Sequence, residues 1–468
     1  MRIVLINPWH PCIGGRERHI GVSIPLACLY ISAAAKRARH EVIILDAFSY
    51  GCLPVINSND RTLFYSGTVM SVDSSVFTLM GTAVNNIIDI TRTYKPDVVG
   101  LSVTFSSLHR LLPYIMSAFR YYVPKAKLVM GGSHITAAPE IVMNSVSNVD
   151  YLVTGEGEVS FVKLLTSIEE GKEPVNIPGI YYRKDGNIYS SSYELIQNLD
   201  NIYPPDYSGI SLEYYYALQG RNRAYMLTSR GCPFDCNFCT VPKTCGRKWR
   251  AHSSERVLSE LAYMTRGGVR EIFFEDDNMS VNKDRFATIL EGIIRKHWNL
   301  SLYVPQGLHI STLTPDILKM MYLAGFEWVA VSPETGNDRV AKEEINKTFL
   351  PDDARKVVKD IIKARMKPLV NLVVGMPNER WSEIQDTVKY ARELKKMGAQ
   401  RFNLSMATPI IGSRMFNDLV AQGRIENKVP AFIDYYHPSF DGIDWKSEEL
   451  FRLCESLNIE LNKGCPEI

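Results

Sequence analysis

The chain lacks the long apolar run that a membrane helix requires: no stretch of about 18 consecutive apolar residues occurs among its 468 residues, so no membrane span is expected. It also lacks an excess of either charge. Its 53 lysines and arginines stand against 51 aspartates and glutamates, a formal net charge of +2, which gives no electrostatic footprint for nucleic acid or an anionic membrane. The opening Met1-Arg2-Ile3-Val4-Leu5-Ile6-Asn7-Pro8 is apolar too briefly for a signal peptide. A disulfide framework is missing as well: the nine cysteines are odd in number and three of them crowd into one loop, which fits a reducing, cytoplasmic compartment. No GxGxxG follows the first apolar run, which argues against a bound dinucleotide. What remains is a chain long enough for two or three domains, each with its own core.

The crowded cysteines are Cys232, Cys236 and Cys239, in the loop Arg230-Gly231-Cys232-Pro233-Phe234-Asp235-Cys236-Asn237-Phe238-Cys239. Thiolates so close suit zinc or an iron–sulfur cluster, and a [4Fe–4S] cube held by three cysteines keeps one iron free for a substrate or cofactor. Two other readings stand beside this one. Cys245 would complete a four-cysteine zinc tetrahedron, although no second knuckle follows it, and three plain buried thiols sit poorly with the turn that Gly231 and Pro233 mark. The CxxxCxxC spacing, with Phe238 just before the last cysteine, resembles the radical S-adenosylmethionine (SAM) superfamily.

Around that loop, apolar runs at 224–229, 271–276, 302–308, 328–332, 368–374 and 401–406 alternate with helical periods. Ser253 opens one helix that carries Val257, Leu258, Leu261 and Met264 on one face, and Thr314-Pro315 opens another that stops at Gly325. Six strand–helix units predict a parallel partial (β/α)6 barrel over residues 222–420, with its chemistry at the carboxyl ends of the strands. The radical SAM resemblance implies SAM contacts at Phe238 and among Glu275, Asp276 and Asp277, where a carboxylate pairs with the methionine ammonium. It further implies a ribose contact at Glu334, an adenine-side turn at Gly375 and Pro377 that matches Gly-x-Pro-x-Glu, and a contact at Thr408. Thr408 begins Thr408-Pro409-Ile410-Ile411-Gly412-Ser413, in which Ser413 replaces the threonine of the family's Pro-x-x-Gly-Thr pattern. The bland readings are helix capping for the three acids and an ordinary surface acid for Glu334.

The first 200 residues alternate in the same way. Runs at 2–7, 41–46, 97–103, 127–131 and 151–154 read as buried strands, and helical periods such as Leu108, Leu111, Leu112, Ile115 and Phe119 lie between them. An α/β domain with a parallel, doubly wound, Rossmann-like sheet follows, binding its ligand at the strand ends. Those ends are Asn7-Pro8-Trp9, Ser102-Val103-Thr104-Phe105, Gly131-Gly132-Ser133-His134 and Gly155-Glu156-Gly157-Glu158, whose glycines admit a flat, bulky ligand and whose hydroxyls supply hydrogen bonds. Together with Pro25-Leu26, His40-Glu41-Val42 and Pro139, this order of features resembles the cobalamin-binding domain fused to many radical SAM proteins. The resemblance implies cobalamin contacts at Pro8, Trp9, Ser102, Val103, Thr104, Phe105, Gly131, Gly132, Ser133, His134, Gly155, Glu156 and Gly157; a degenerate domain that no longer binds it is the other reading. The Asp-x-His-x-x-Gly loop by which other cobalamin proteins supply a histidine below cobalt is absent, and Trp9-His10-Pro11-Cys12-Ile13-Gly14-Gly15 has the wrong spacing. Cobalt without a protein histidine ligand is therefore expected.

The interval 51–80 reads as an insertion over the crevice, and Lys184-Asp185-Gly186 as a hairpin turn. Residues 1–200 then form the first domain, 201–221 a linker, 222–420 the barrel, and 421–468 a short helical tail containing Tyr435-Tyr436-His437-Pro438 and apolar Leu450, Leu453, Leu457 and Leu461. Cys454 and Cys465 are too isolated for a second cluster. The resemblances imply a cobalamin-dependent radical SAM enzyme. An external electron donor of the flavodoxin or ferredoxin type reduces the cluster, SAM is split to a 5′-deoxyadenosyl radical, and an unactivated carbon of a small-molecule substrate is methylated, with the substrate held at the domain interface. A cyclase or rearranging enzyme without net methyl transfer, and a non-catalytic cobalamin or iron–sulfur sensor, are the alternatives.

Overall fold

The apolar run that opens the chain lies inside a sheet because every neighbour it pairs with is equally apolar. The computed structural model describes residues 1–13, 22–49, 52–54, 63–65, 67–72, 75–427 and 440–465, in two units, residues 1–222 and 223–468. In chain order unit 1 runs β1 (Arg2–Asn7), β2 (His10–Ile13), α1 (Leu26–Arg37), β3 (Glu41–Asp46), β4 (Cys52–Pro54), β5 (Leu63–Tyr65), β6 (Gly67–Val72), β7 (Ser75–Met80), α2 (Val84–Tyr94), β8 (Val98–Ser102), α3 (Leu112–Tyr122), β9 (Lys127–Gly131), α4 (Ser133–Ala137), α5 (Pro139–Ser145), β10 (Tyr151–Val153), α6 (Gly157–Glu169), β11 (Ile180–Lys184), β12 (Asn187–Ser190) and α7 (Leu212–Gln219).

Its main sheet has the order β12-β11-β10-β9-β8-β1-β3. The five strands from β10 to β3 are parallel, as the continuous apolar runs predicted. The sheet is nevertheless mixed, because β11 and β12 add to its edge antiparallel. Asp185 and Gly186 form the two-residue turn between them, both with positive φ (50° and 79°), as this kind of hairpin needs. The strand order reverses between β1 and β8, so the switch-point crevice opens beyond the carboxyl ends of those two strands. The helical period around residue 111 divides into a 3-10 turn (Ser106–Leu111) and α3, where Pro113 sits in the first helical turn. Its apolar stripe, Leu108, Leu111, Leu112, Ile115 and Phe119, is buried in the core with Ile6, Leu101, Val103 and Met130.

The segment 201–221, expected as a linker, is instead folded onto unit 1. The Ser211 hydroxyl accepts from the Tyr214 N–H at 3.3 Å and caps α7, the Tyr215 hydroxyl donates to Asp46 at 2.6 Å, and Lys36 pairs with Asp206 at 2.6 Å. The interval 51–80 supplies β4 to β7, with β4 paired to β5 and a second small sheet in the order β2-β7-β6. The rest of that interval, Gly14 and Gly15, and Tyr435 to Pro438 lie outside the described residues.

Unit 2 runs β13 (Arg223–Met226), β14 (Ser229–Arg230), α8 (Val241–Thr244), β15 (Arg250–Ala251), α9 (Ser254–Arg266), β16 (Glu271–Phe274), α10 (Lys283–Lys296), β17 (Ser301–Tyr303), α11 (Pro315–Ala324), β18 (Trp328–Glu334), a π-helical turn (Val340–Ile345), α12 (Pro351–Lys363), β19 (Lys367–Val374), α13 (Trp381–Met397), β20 (Arg401–Met406), α14 (Arg414–Ala421) and α15 (Ser447–Asn462). The six strands expected of the barrel are present and parallel, as two three-stranded sheets, β13-β16-β17 and β18-β19-β20. A single parallel bridge between Leu302 and Phe326 joins them. The run at 302–308 shortens to β17 because Pro305 follows and Gly307 takes φ +86°. Ser253 and Thr314 cap α9 and α11 as their sequence contexts predicted.

β20 is an edge strand, and α15 covers it with an asparagine pair one helical turn apart. Asn458 accepts from the Leu404 N–H and donates to its carbonyl, at 3.0 and 2.8 Å, and Asn462 does the same for Phe402, at 2.9 and 2.8 Å. Two carboxamides thus stand in for a neighbouring strand. Among the described residues no helix is long and apolar enough to cross a membrane.

Candidate active site

The cysteine loop leaves the carboxyl end of β13. Gly231 turns it with φ +85°, where a Cβ would lie 2.8 Å from the carbonyl oxygens of Gly246 and Lys248, so only glycine fits. Hydrogen bonds then fix the loop: the Cys232 N–H donates to the Gly246 carbonyl at 3.3 Å and the Cys239 N–H to that of Cys236 at 3.0 Å. Burial pushes all three thiols up, Cys239 to about 12, while backbone N–H groups of Phe234, Cys236 and Val241 donate toward the sulfurs and oppose it. Half-buried sulfurs with amide donors aimed at them are the environment of cluster-bound thiolates, which a bound cation keeps ionised. Three ligands from one loop fit a [4Fe–4S] cluster with one open iron. Cys245 is committed elsewhere: its thiol bonds Asp277 and accepts from Thr244 at 3.7 Å. Among the described residues no three His, Cys, Asp or Glu side chains converge as ligands of a single ion.

The three acids after β16 part company. Asp276 is fully buried and accepts from the Thr228 N–H at 3.0 Å, the Thr228 hydroxyl at 2.7 Å and the Ser229 hydroxyl. Asp277 accepts from the Gly231 N–H at 3.0 Å. Both therefore brace the segment leading into the cysteine loop. Glu275 is the acid left over: burial pushes its carboxyl up, and Gln306, at 3.3 Å, is its one hydrogen-bond partner among the described residues.

Glu334 ends β18 with φ +67°, an uncommon backbone for a non-glycine residue. Its carboxylate meets the Lys347 ammonium at 3.0 Å, and both side chains are buried. Lys347 escaped the sequence reading because no motif marks it; it follows the π-helical turn, whose backbone holds the cysteine loop. The Asn237 N–H donates to the Ile345 carbonyl at 3.0 Å, the Asn237 amide to the Glu344 carbonyl at 2.6 Å, and the Asn346 amide to the Asp235 carbonyl at 2.9 Å. Phe238 packs against the buried cluster that contains Val340, Ile345, Met376 and Met415, and Phe234 stacks on His309 with ring centroids 3.7 Å apart.

The turn after β19 is held from below. Glu379 accepts from the Gly375 and Met376 N–H groups at 2.6 and 3.0 Å, and burial pushes its carboxyl up to about 8. A Cβ on Gly375 would lie 2.4 Å from Leu450, and Pro377 is buried with its carbonyl accepting from Arg424 at 3.0 Å. Thr408 is buried, its hydroxyl donating to the Met406 carbonyl at 3.2 Å. Gly375, Pro377 and Thr408 thus present backbone rather than free side chains.

In unit 1 the switch-point crevice is flanked by exposed Thr104, Phe105 and Ser133, Phe105 being 61% exposed. Gly132 (φ +116°) closes the gap behind them, since a Cβ there would lie 2.5 Å from the Val103 carbonyl. Exposed aromatic and hydroxyl groups beside a glycine turn at this point suit the flat macrocycle of cobalamin. Four expected contacts turn inward instead. Trp9 is buried and its indole N–H donates to the Thr82 carbonyl at 2.5 Å; Val103 is in the core; and the Glu156 carboxylate accepts from the Ile196 N–H at 2.5 Å. His134 is buried in a relay, with Nδ1 2.8 Å from the Ser106 hydroxyl and Nε2 2.9 Å from His109 Nδ1. His109 Nε2 lies 3.3 Å from the Ser145 hydroxyl, which donates to the Ile141 carbonyl at 2.8 Å. That donation makes His109 Nε2–H a donor and His109 Nδ1 an acceptor, so both imidazoles are satisfied in their neutral, Nε2-protonated form.

Residues 226–391 match the model of the radical SAM superfamily, and residues 71–165 that of the B12 binding domain. The chain is a radical SAM enzyme that carries a B12-binding domain. An uncharacterized methyltransferase of Pyrococcus horikoshii is 29% identical over 423 residues, covering 90% of this chain and 83% of that protein. The cytidylyl-2-hydroxyethylphosphonate methyltransferase of Streptomyces wedmorensis is 24% identical over 500 residues, covering 98% and 90%. Among solved structures, the cobalamin-dependent SAM radical enzyme OxsB with aqua-cobalamin and SAM bound superposes with a TM-score of 0.76 at 15% identity, over 99% of this chain and 67% of that one.

Proposed function

We propose that this chain is a cobalamin-dependent radical SAM methyltransferase that transfers a methyl group to an unactivated carbon of a small molecule. One chain joins a three-thiol loop with an open fourth position to a glycine-backed switch-point crevice, and this pairing carries the proposal. When bound, the cluster and SAM supply a hydrogen-abstracting radical and cobalamin supplies the methyl group. Cys232, Cys236 and Cys239 hold the cluster, and the N–H groups aimed at their sulfurs keep the thiolates in place. Glu275, the acid without a full set of donors, takes the methionine ammonium. Glu334 takes the ribose, and the backbone of the turn at Gly375 and Pro377 faces adenine. Thr104, Phe105, Ser133 and the glycine turns at Gly131, Gly132, Gly155 and Gly157, with Pro8 and Ser102, would cradle cobalamin, and the sequence carries no Asp-x-His-x-x-Gly loop to add a histidine. A flavodoxin- or ferredoxin-type donor in the cytoplasm supplies electrons.

Product ratio tests this. In anaerobically reconstituted enzyme with SAM, reductant and substrate, S-adenosylhomocysteine and 5′-deoxyadenosine form in comparable amounts with a product heavier by one methyl-for-hydrogen exchange. 5′-Deoxyadenosine without S-adenosylhomocysteine or the mass gain would identify a cyclase or rearranging enzyme, and neither product would identify a sensor.

A further inference from the structure

We propose that Lys347 sets the reduction potential of the cluster held by Cys232, Cys236 and Cys239, its buried ammonium favouring the reduced, more negative state. The proposal rests on the cluster assignment and adds to it a residue outside the motif. Geometry places the lysine. Residues 344–346 are stitched to Asp235 and Asn237, on either side of Cys236, by the three hydrogen bonds described above, through the backbone carbonyls of Glu344 and Ile345 and the side-chain amide of Asn346. Asn346 then takes the left-handed conformation (φ 66°), and the Lys347 N–H turns back to the Ala341 carbonyl at 2.8 Å. The side chain is thereby sent inward, to Glu334 and over the ring of Phe349 at 5.4 Å, rather than to solvent. π-Helical turns are rare and concentrate at functional sites, and here one is spent on presenting a single cation.

A buried ion pair is weak support for stability, because withdrawing two charges from water costs several kcal/mol and apolar replacements of similar size serve a core as well or better. Its use here is electrostatic. Burial acts to lower Lys347, but the Glu334 carboxylate 3.0 Å away opposes it, so the amine stays charged. Reducing the cluster adds one electron and breaks no bond; the electron comes from the external donor, and the added negative charge is stabilised by a nearby cation in a poorly screened interior.

The test is an EPR-monitored redox titration of the full-length, SAM-free, reconstituted protein. Lys347→Met should shift the one-electron equilibrium at least tenfold toward the oxidised cluster, a potential lower by 59 mV or more, with iron and sulfide content unchanged. Lys347→Arg, which keeps the charge, should titrate with the wild type. If Lys347→Met does not retain iron, Glu334→Gln carries the test: releasing the ammonium from its carboxylate should raise the potential. A full cluster in Lys347→Met with unchanged potential, or an unchanged potential in Glu334→Gln, overturns the proposal. Zinc in place of iron in the wild-type protein would instead overturn the cluster assignment itself, and is read from metal content before any variant is compared.

Discussion

Acid should loosen unit 1 at one identifiable place, the relay of Ser106, His134, His109 and Ser145. Burial lowers His109 from the usual 6.5 to about 4, and burial together with the neighbouring His109 lowers His134 to about 3. Above about pH 6.5 the imidazoles are neutral whether the segment is closed or open, and stability is full. As pH falls below that value the open state takes up protons that the closed state refuses, so stability is lost progressively, down to about 4 for His109 and about 3 for His134. At 1.36 kcal/mol per pH unit, going from about pH 7 to about pH 5 removes about 2 kcal/mol per histidine and about 4 kcal/mol for the pair. Hydrogen exchange in α4 and α5, corrected for the intrinsic pH dependence of exchange, reads this directly as a loss of protection of roughly two to three orders of magnitude. In His109→Gln/His134→Gln the amides do not titrate, so the excess pH dependence should vanish even though protection at neutral pH is lower. Equal pH dependence in wild type and double variant would refute the relay as its source.

Three further outcomes are expected. Replacing Cys232, Cys236 and Cys239 with alanine abolishes iron–sulfide absorption while Cys245→Ala leaves it intact; stoichiometric zinc in anaerobically purified wild type would defeat the cluster reading. Asn458→Leu with Asn462→Leu orphans the edge of β20 and, at about 1 kcal/mol for each of four hydrogen bonds, lowers the stability of unit 2 by about 4 kcal/mol in urea denaturation. Gly132→Ala forces a Cβ against the Val103 carbonyl and strains φ +116°, so bound cobalamin measured by absorption should fall at least tenfold, whereas Ser133→Ala, at an exposed position, should retain most of it.

Much of the fold was legible because local chemistry and global architecture agree. Ser253, Thr314-Pro315, Gly325 and Asp185-Gly186 each demand one local conformation, and the apolar runs between them leave parallel strands as the consistent outcome. What stayed hidden depends on partners distant in sequence. The docking of 201–221 is decided by Asp46 and Lys36, more than 160 residues earlier, which no local pattern reports. His134 looked like a strand-end ligand until His109 and Ser106 claimed both its nitrogens. Glu275, Asp276 and Asp277 are three adjacent acids of the same chemistry, and only the way they fan out from the end of β16 separates them.

That separation has a physical meaning for the site. Asp276 is pushed up by burial, yet three donors from Thr228 and Ser229 offset much of the cost of keeping a carboxylate there, and it has nothing further to offer a ligand. Glu275 is less deeply buried, but burial still pushes its carboxyl up and one long contact from Gln306 is all that offsets it, so its ionised form is under-stabilised as it stands. An ammonium arriving beside Glu275 gains a charge-assisted hydrogen bond and at the same time offsets the desolvation that already burdens this carboxylate. The acid that is least satisfied before binding is therefore the one whose interaction changes most on binding. Satisfaction, more than residue type or position in the motif, distinguishes Glu275, the acid proposed to take the methionine ammonium, from Asp276 and Asp277, which hold the cysteine loop.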